Sequence, residues 1–158
     1  MSEFNPKASL RLMKVIFTAI FVGPVILFLI VLLTTDFTLL RTFDINIIYN
    51  IGVLAIIAIV IPSSNYYSNR TLKKVHAADS LQSRMAKFQT SLIIKLASWE
   101  ALALFLIVAM MEGASIVILA FFIVTMGVLF LNYPSISNLE KAIQLSSSEV
   151  QMLRSSKN

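Results

Sequence analysis

Long apolar segments separated by shorter polar ones make up most of the chain. A membrane-crossing helix needs roughly 20 mostly apolar residues, and four segments approach that length: about 12–33, 45–61, 92–111 and 114–131. The last two are joined by a turn at Glu112-Gly113, which predicts a helical hairpin. The pattern therefore predicts an all-α protein: an antiparallel four-helix transmembrane bundle that forms a single integral membrane domain.

The polar segment 62–91 is predicted to be a loop whose second half becomes helical. Apolar residues recur there with the spacing of one helix face: Leu81, Met85, Phe88 and Leu92. Asp79 followed by Gln82 fits an N-cap and its partner, so we expect a helix that begins near Ser80 and extends unbroken into the third span. An apolar stripe flanked by cations is typical of adhesion to a membrane surface, with docking of another protein as the alternative.

The tail after the fourth span, 132–158, is predicted to carry two short helices. Ser137 with Glu140, and Ser146 with Glu149, each fit a capping box, in which a serine and an acid three residues later bond to the first N–H groups of a helix. We expect these helices to cover the cytoplasmic mouth of the bundle. Binding of a partner protein is the alternative.

The cations are distributed unevenly between the segments that connect the spans. With four crossings, all 13 Lys and Arg residues except Arg41 fall on one side of the membrane. Cytoplasmic loops carry the excess of Lys and Arg, so both termini and the central loop are predicted to be cytoplasmic. The net charge of +5 then indicates contact with anionic lipid headgroups rather than nucleic acid. The cations expected at the headgroups are Arg70, Lys73, Lys74, Arg84 and Lys87.

Composition agrees with a membrane protein. The 158 residues are 58% hydrophobic and only 13% charged, whereas soluble domains contain about 25% charged residues. The mean hydropathy is +0.84. The chain has no cysteine, which excludes disulfides and thiol chemistry. No catalytic set, paired carboxylates, cofactor fingerprint or metal-ligand cluster is evident, so we expect a non-enzymatic protein with no cofactor and no metal.

Glu100 is the one acidic residue predicted to lie deep in a span. Counting along the third span places it about 12 Å from the cytoplasmic edge. A charged carboxylate is costly there and its helix offers no cation on the same face, so we predict a neutral carboxylic acid. Pro24 leaves the carbonyl of Ile20 without its helical partner at similar depth, and Thr18 and Thr125 lie nearby in depth. We therefore predict an intramembrane polar cluster formed by Glu100, Thr18, Thr125 and the turn at Pro24.

Three roles remain open for this cluster: holding helices together, coupling to a moving proton or cation, and contact between subunits. An ion path usually involves more than one titratable group, and the sequence places only Glu100 at depth. We predict a structural or accessory membrane component that associates with itself or with other membrane proteins. The alternative is a small proton- or cation-coupled transporter or channel component that uses Glu100.

Three stretches of the second half resemble a family of small uncharacterised four-span bacterial membrane proteins. They are Lys-Leu-Ala-Ser-Trp-Glu at 95–100, Asn-Tyr-Pro-Ser at 132–135, and Leu145-Ser146 with Glu149. The resemblance implies a multi-pass protein of the bacterial inner (plasma) membrane and points to Glu100. The family has no assigned activity, so the resemblance implies no reaction or ligand.

Overall fold

The computed structural model describes residues 4–34, 47–76, 78–112 and 116–155, and this part of the chain is all-helical, as predicted. It contains six helices: α1 (Pro6–Thr34), α2 (Ile47–Leu72), α3 (Leu81–Glu112), α4 (Ile116–Leu131), α5 (Ile136–Ile143) and α6 (Ser147–Arg154). The start of the predicted second span, the segment that carries Arg41 and the turn at Gly113 lie outside the described residues.

Three helices, α1, α2 and α3, are long and apolar enough to cross a membrane. The fourth predicted span corresponds to α4, which has 16 residues. It passes the same test only together with α5, from which it is bent by 75°. Pro134 lies in this bend, where its ring prevents the helix from continuing. Length and composition thus support three or four crossings.

α2 extends beyond the point at which the second span was predicted to close. Pro62 lies inside the helix, which ends only at Leu72, so the prediction that a loop begins at residue 62 is wrong. Membrane helices tolerate an internal proline when neighbouring groups compensate for the lost hydrogen bond. Packing on α3 stabilises the segment after Pro62, since Ser64 and Ser68 are buried and Ser68 bonds to Ser91.

α3 is one continuous helix of 32 residues, which confirms the predicted extension of the third helix. Its N-cap is Ser80 rather than Asp79, because the Ser80 hydroxyl accepts a hydrogen bond from the Ser83 N–H at 3.3 Å. The carboxylate of Asp79 instead accepts from the Lys87 ammonium at 2.6 Å and from the His76 N–H at 3.1 Å. The hydrogen bond from Lys87 is the main cause that lowers the pKa of Asp79.

α3 is also the central helix, since α1, α2, α4 and α5 all pack against it. In its most apolar 18-residue stretch, 44% of the residues are buried, against 17% in α1 and 17% in α2. α1 and α2 correspondingly expose large apolar side chains such as Leu33 and Ile59, which are 84% and 66% exposed. An apolar surface of this extent suits contact with lipid or with another protein rather than with water.

α1 and α4 contact each other through aromatic rings and run in opposite directions. Phe17 packs edge-on against Tyr133 with ring centroids 5.1 Å apart, and Phe28 stacks on Phe122 at 4.7 Å. Residue numbers thus rise along α1 as they fall along α4. The Lys14 ammonium lies 5.7 Å from the centroid of the Tyr133 ring and makes a cation–π contact with it. This contact lies beside the Phe17–Tyr133 pair, in the first half of α1.

The two short helices of the predicted tail are present as α5 and α6. The capping box of α6 is confirmed: the Ser146 hydroxyl accepts from the Glu149 N–H at 3.4 Å, and the Glu149 carboxylate accepts from the Ser146 N–H at 2.8 Å. α5 is capped by Ser135 rather than by the predicted Ser137, since the Ser135 hydroxyl accepts from the Asn138 N–H at 3.1 Å. Ser135 directly follows the bend after α4, so the helix begins at the first position that the bend allows.

Candidate functional site

Glu100 lies on the face of α3 that contacts α1. Its Oε1 atom is 3.6 Å from the position that a Cβ atom on Gly23 would occupy. Because Gly23 has no side chain, the carboxyl group approaches the α1 backbone one residue before Pro24, which is buried. The structure therefore places Glu100 beside the turn of α1 that the sequence singled out.

The two threonines of the predicted cluster lie in different environments. Thr125 is buried in α4, with 3% of its surface exposed. Thr18 is exposed, and its hydroxyl donates to the carbonyl of Lys14 in its own helix at 2.9 Å. At about 100° per residue, five residues place Thr18 about 140° around α1 from Gly23. Thr18 also lies about 7.5 Å along the axis of α1 from Gly23. The structure thus does not bring Thr18 to Glu100, which lies beside Gly23.

Arg84 is buried, with 6% of its surface exposed, and the prediction that it contacts lipid headgroups is wrong. Its guanidinium donates to the carbonyls of Ile143 and Gln144, each at 3.1 Å, and pairs with the Glu149 carboxylate. The last carbonyls of a helix lack helical partners, so Arg84 caps the C-terminus of α5. Gln144 adopts a left-handed conformation there, with φ at 51°.

The carboxylate of Glu149 joins α6 to α3 through its pair with Arg84. The hydrogen bond from the Ser146 N–H is the largest cause that lowers the pKa of Glu149, and Arg84 lowers it further. Sequence reasoning found the capping box that positions Glu149 but not its partner, because Arg84 lies 65 residues earlier. We call α5, α6 and the first half of α3 the tail end of the molecule.

The other cations expected at headgroups fall into two groups. Arg70, Lys73 and Lys74 are exposed, as contact with a membrane surface requires. Lys87 is partly buried and donates to the carboxylate of Asp79 at 2.6 Å and to the carbonyl of Lys74 at 2.7 Å. Its charge is therefore balanced within the protein.

A cavity of about 350 Å³ lies at the tail end, between α2, α3, α5 and the end of α4. Its polar lining consists of Ser68, Ser91, Lys95, Asn132, Asn138 and Lys141, beside Tyr133. The hydroxyls of Ser68 and Ser91 are 2.7 Å apart, and Ser91 also donates to the carbonyl of Ser68 at 3.1 Å. None of the described residues that line the cavity is acidic.

Among the described residues, no group of three or more His, Asp and Glu side chains is arranged to hold a metal ion. No known protein family, curated protein or solved structure matches the chain.

Proposed function

We propose that this chain is a non-enzymatic integral membrane protein of the bacterial inner membrane, with a structural or accessory role. Four antiparallel spans with both termini in the cytoplasm agree with the distribution of cations along the sequence. The opposite directions of α1 and α4 support this arrangement. So do the α2–α3 contacts, in which Ser68 meets Ser91 and Lys74 meets Lys87. The exposed apolar faces of α1 and α2 suit lipid and association with a second copy or another membrane protein.

The approach of Glu100 to Gly23 is the observation that carries the structural role. A carboxyl group held against the backbone of a neighbouring helix can bond to it, and such bonds between membrane helices contribute about 0.6 kcal/mol on average. Within the spans as described, Glu100 is the only acidic residue away from the helix ends. Lys95 lies more than one turn closer to the tail end, on the wall of a separate cavity. A single deep carboxyl group favours a helix contact over a path for ions.

One observation favours the alternative, a small proton- or cation-coupled transporter or channel component. Glu100 is partly exposed rather than fully buried, so an ion or a partner could reach its carboxyl group. Coupling would require the group to change its charge during a cycle. A structural contact requires only that a hydrogen bond persists.

Two substitutions distinguish the roles, because glutamine keeps hydrogen bonding but cannot titrate. For a structural role, Glu100→Gln should assemble and unfold like the wild type, whereas Glu100→Leu should lower the unfolding temperature in mild detergent. For coupling, Glu100→Gln should assemble normally but abolish proton flux into liposomes. Glu112→Gln, at the end of α3, is the matched control. A flux in the wild type that Glu100→Gln removes would overturn the structural role.

Association is tested by the mass of the assembly in lipid nanodiscs. Native mass spectrometry of the purified wild type should show more than one copy per disc or a retained membrane partner. A strictly monomeric protein, unchanged over a wide concentration range and without partners after cross-linking in cells, would contradict association.

A further inference from the structure

The tail-end cavity presents two ammonium groups without an acid to balance them. Lys95 reaches it from α3, where it is partly buried, and Lys141 reaches it from α5, where it is exposed. The ion pairs of the described residues are Arg84 with Glu149 and Lys87 with Asp79, so neither cavity lysine belongs to one. For the partly buried Lys95, removing the ammonium from water is destabilising unless an opposite charge accompanies it, whereas the exposed Lys141 adds a second positive charge beside it. A bound anion would supply that charge.

The remaining donors of the cavity suit an oxyanion. The side-chain amide of Asn132 donates to the carbonyl of Val128 at 2.7 Å, and that of Asn138 donates to the carbonyl of Tyr133 at 3.0 Å. Each amide nitrogen carries two hydrogens, so a second N–H remains on each for a ligand. Ammonium and amide donors together recognise phosphate, since charge-assisted hydrogen bonds to phosphate oxygens are the stronger kind.

The position of the cavity favours a lipid as the source of that phosphate. Leu92 and Leu131 line it, and they stand at the ends of the apolar stretches of α3 and α4. In the proposed four-span arrangement, on which this step rests, the hydrocarbon layer meets the headgroups at this level. α5 is bent by 75° from α4 and contributes Lys141 to the cavity lining. The volume, about 350 Å³, is at the small end of the range for ligand pockets, which suits a headgroup whose acyl chains remain outside.

We propose that the tail-end cavity binds the phosphate of an anionic phospholipid headgroup, with Lys95 and Lys141 as its cationic ligands. This differs from contact between headgroups and the exposed Lys73 and Lys74, because the cavity lies between helices and Lys95 is partly buried. Binding would tie α5 to α3 at a second place besides Arg84. The proposal does not depend on the role of Glu100.

The test compares lipid binding by the full-length protein in mild detergent, measured by native mass spectrometry and thermal unfolding. The probes are phosphatidylglycerol, phosphatidylcholine and inorganic phosphate. The wild type should bind phosphatidylglycerol about tenfold more tightly than phosphatidylcholine. Both lipids carry the phosphate, but the choline cation of phosphatidylcholine cancels its charge and is repelled by the two lysines, and a loss equal to one charge-assisted hydrogen bond corresponds to about that factor. The double variant Lys95→Gln, Lys141→Gln should lose that preference. The control for this double variant is Lys73→Gln with Lys74→Gln. It removes the same charge from exposed positions and should keep the preference for phosphatidylglycerol.

Three results would overturn the proposal: equal affinity of the wild type for the two lipids, an equal loss in the double variant and its control, or stabilisation by inorganic phosphate as strong as that by phosphatidylglycerol. The third would assign the cavity to a soluble phosphate compound. If the double variant does not fold, Lys141→Gln alone decides, because that side chain is exposed on α5. It should lower the affinity for phosphatidylglycerol several-fold without changing helical content, and an unchanged affinity would contradict the proposal.

Discussion

The tail end and the transmembrane layer of this protein are held together by different kinds of contact. At the tail end, distant helices are joined by directional hydrogen bonds: Arg84 donates to two carbonyls at the end of α5, and Ser91 donates to the carbonyl of Ser68. In the transmembrane layer, α1 meets α4 through stacked and edge-on rings. The carboxyl group of Glu100 lies there against α1 at Gly23.

This difference predicts two kinds of sensitivity to substitution. Directional bonds between buried groups leave an unsatisfied donor or acceptor when one partner is removed, which costs more than the bond itself contributes. Packed apolar surfaces respond instead to changes of volume. Loss of a polar group should therefore matter most at the tail end, and added volume should matter most where α1 crosses α3.

Arg84→Met should have the largest effect, at the tail end. It leaves the carbonyls of Ile143 and Gln144 and the carboxylate of Glu149 without this partner, which should cost about 3 kcal/mol. α5 and α6 should separate from α3 before the spans unfold. Limited proteolysis should therefore cleave the tail faster while the rest of the chain stays protected. Arg154→Met, at an exposed position of α6, is the control, and equal cleavage of both variants would refute the assignment.

Gly23→Ile should have the next largest effect, in the transmembrane layer. A Cβ on Gly23 would lie 3.6 Å from Glu100 Oε1, in ordinary van der Waals contact. The longer branches of isoleucine should displace the carboxyl group at a cost of about 1–2 kcal/mol, in the lower part of the range for overpacking because the Glu100 side chain can shift. Gly127→Ile is the matched control, because no atom lies within 4 Å of its added Cβ. Thermal unfolding in detergent measures both. Adding Glu100→Ala should recover most of the loss, and failure to recover it would show that the two residues do not meet.

Ser91→Ala should have a smaller effect, and a larger one than Ser68→Ala. Loss of the Ser91 hydroxyl removes both of its bonds and leaves the buried Ser68 hydroxyl without that partner, at about 1 kcal/mol. Loss of the Ser68 hydroxyl leaves Ser91 bonded to the carbonyl of residue 68. Thr90→Ala, at an exposed neighbouring position, controls for the helix. The loss in free energy of unfolding should be largest for Ser91→Ala, smaller for Ser68→Ala and smallest for Thr90→Ala. A larger loss for Ser68→Ala than for Ser91→Ala would contradict this bonding pattern.

Acidification should produce the smallest effect. The pKa of Glu149 in the folded protein lies below its ordinary value of 4.5, because the Ser146 N–H and Arg84 favour the carboxylate. Its contribution to stability is therefore complete above that value and is lost as the pH falls through the lower, folded pKa. The backbone amides of α6 should exchange faster as the pH falls through this folded pKa. The increase in exchange rate should be smaller in Glu149→Gln, which cannot titrate. Asp79→Asn removes the other acid with a lowered pKa and should leave the response of α6 unchanged.

The features that the sequence predicted correctly are local ones. The stripe that begins at Leu81 has the spacing of one helix face, and it continues without a break into the apolar third span, so the continuity of α3 needed no knowledge of its neighbours. The capping box at Ser146 and Glu149 depends on residues three positions apart. The position of Glu100 beside Gly23 is the exception, because it joins two distant helices: counting depth along two spans, which helical rise makes possible, pointed to this turn. The hydrogen bond of the predicted cluster stays a prediction.

The features that were missed depend on distant neighbours or on rotation about a helix axis. Pro62 by itself predicts a helix end, whereas α2 continues to Leu72 and the turns after Pro62 pack on α3, where Ser68 meets Ser91. The guanidinium of Arg84 bonds to a carbonyl 59 residues away, and no periodic pattern connects the two. Thr18 lies on a different face of α1 from Gly23 and about 7.5 Å from it along the axis, although both offsets follow from helical geometry.

The unbroken length of α3 couples the lipid environment to the tail. Its 32 residues extend about 48 Å, whereas the hydrocarbon layer is about 30 Å thick. Arg84 and Glu100 are attached to this one rod, about 24 Å apart along its axis. A helix adapts to a thinner bilayer by tilting. Because Arg84 connects α3 to the end of α5 and to Glu149 of α6, α5 and α6 would move with α3 when it tilts. The thickness of the bilayer would then set the height and angle at which the tail stands over the membrane surface.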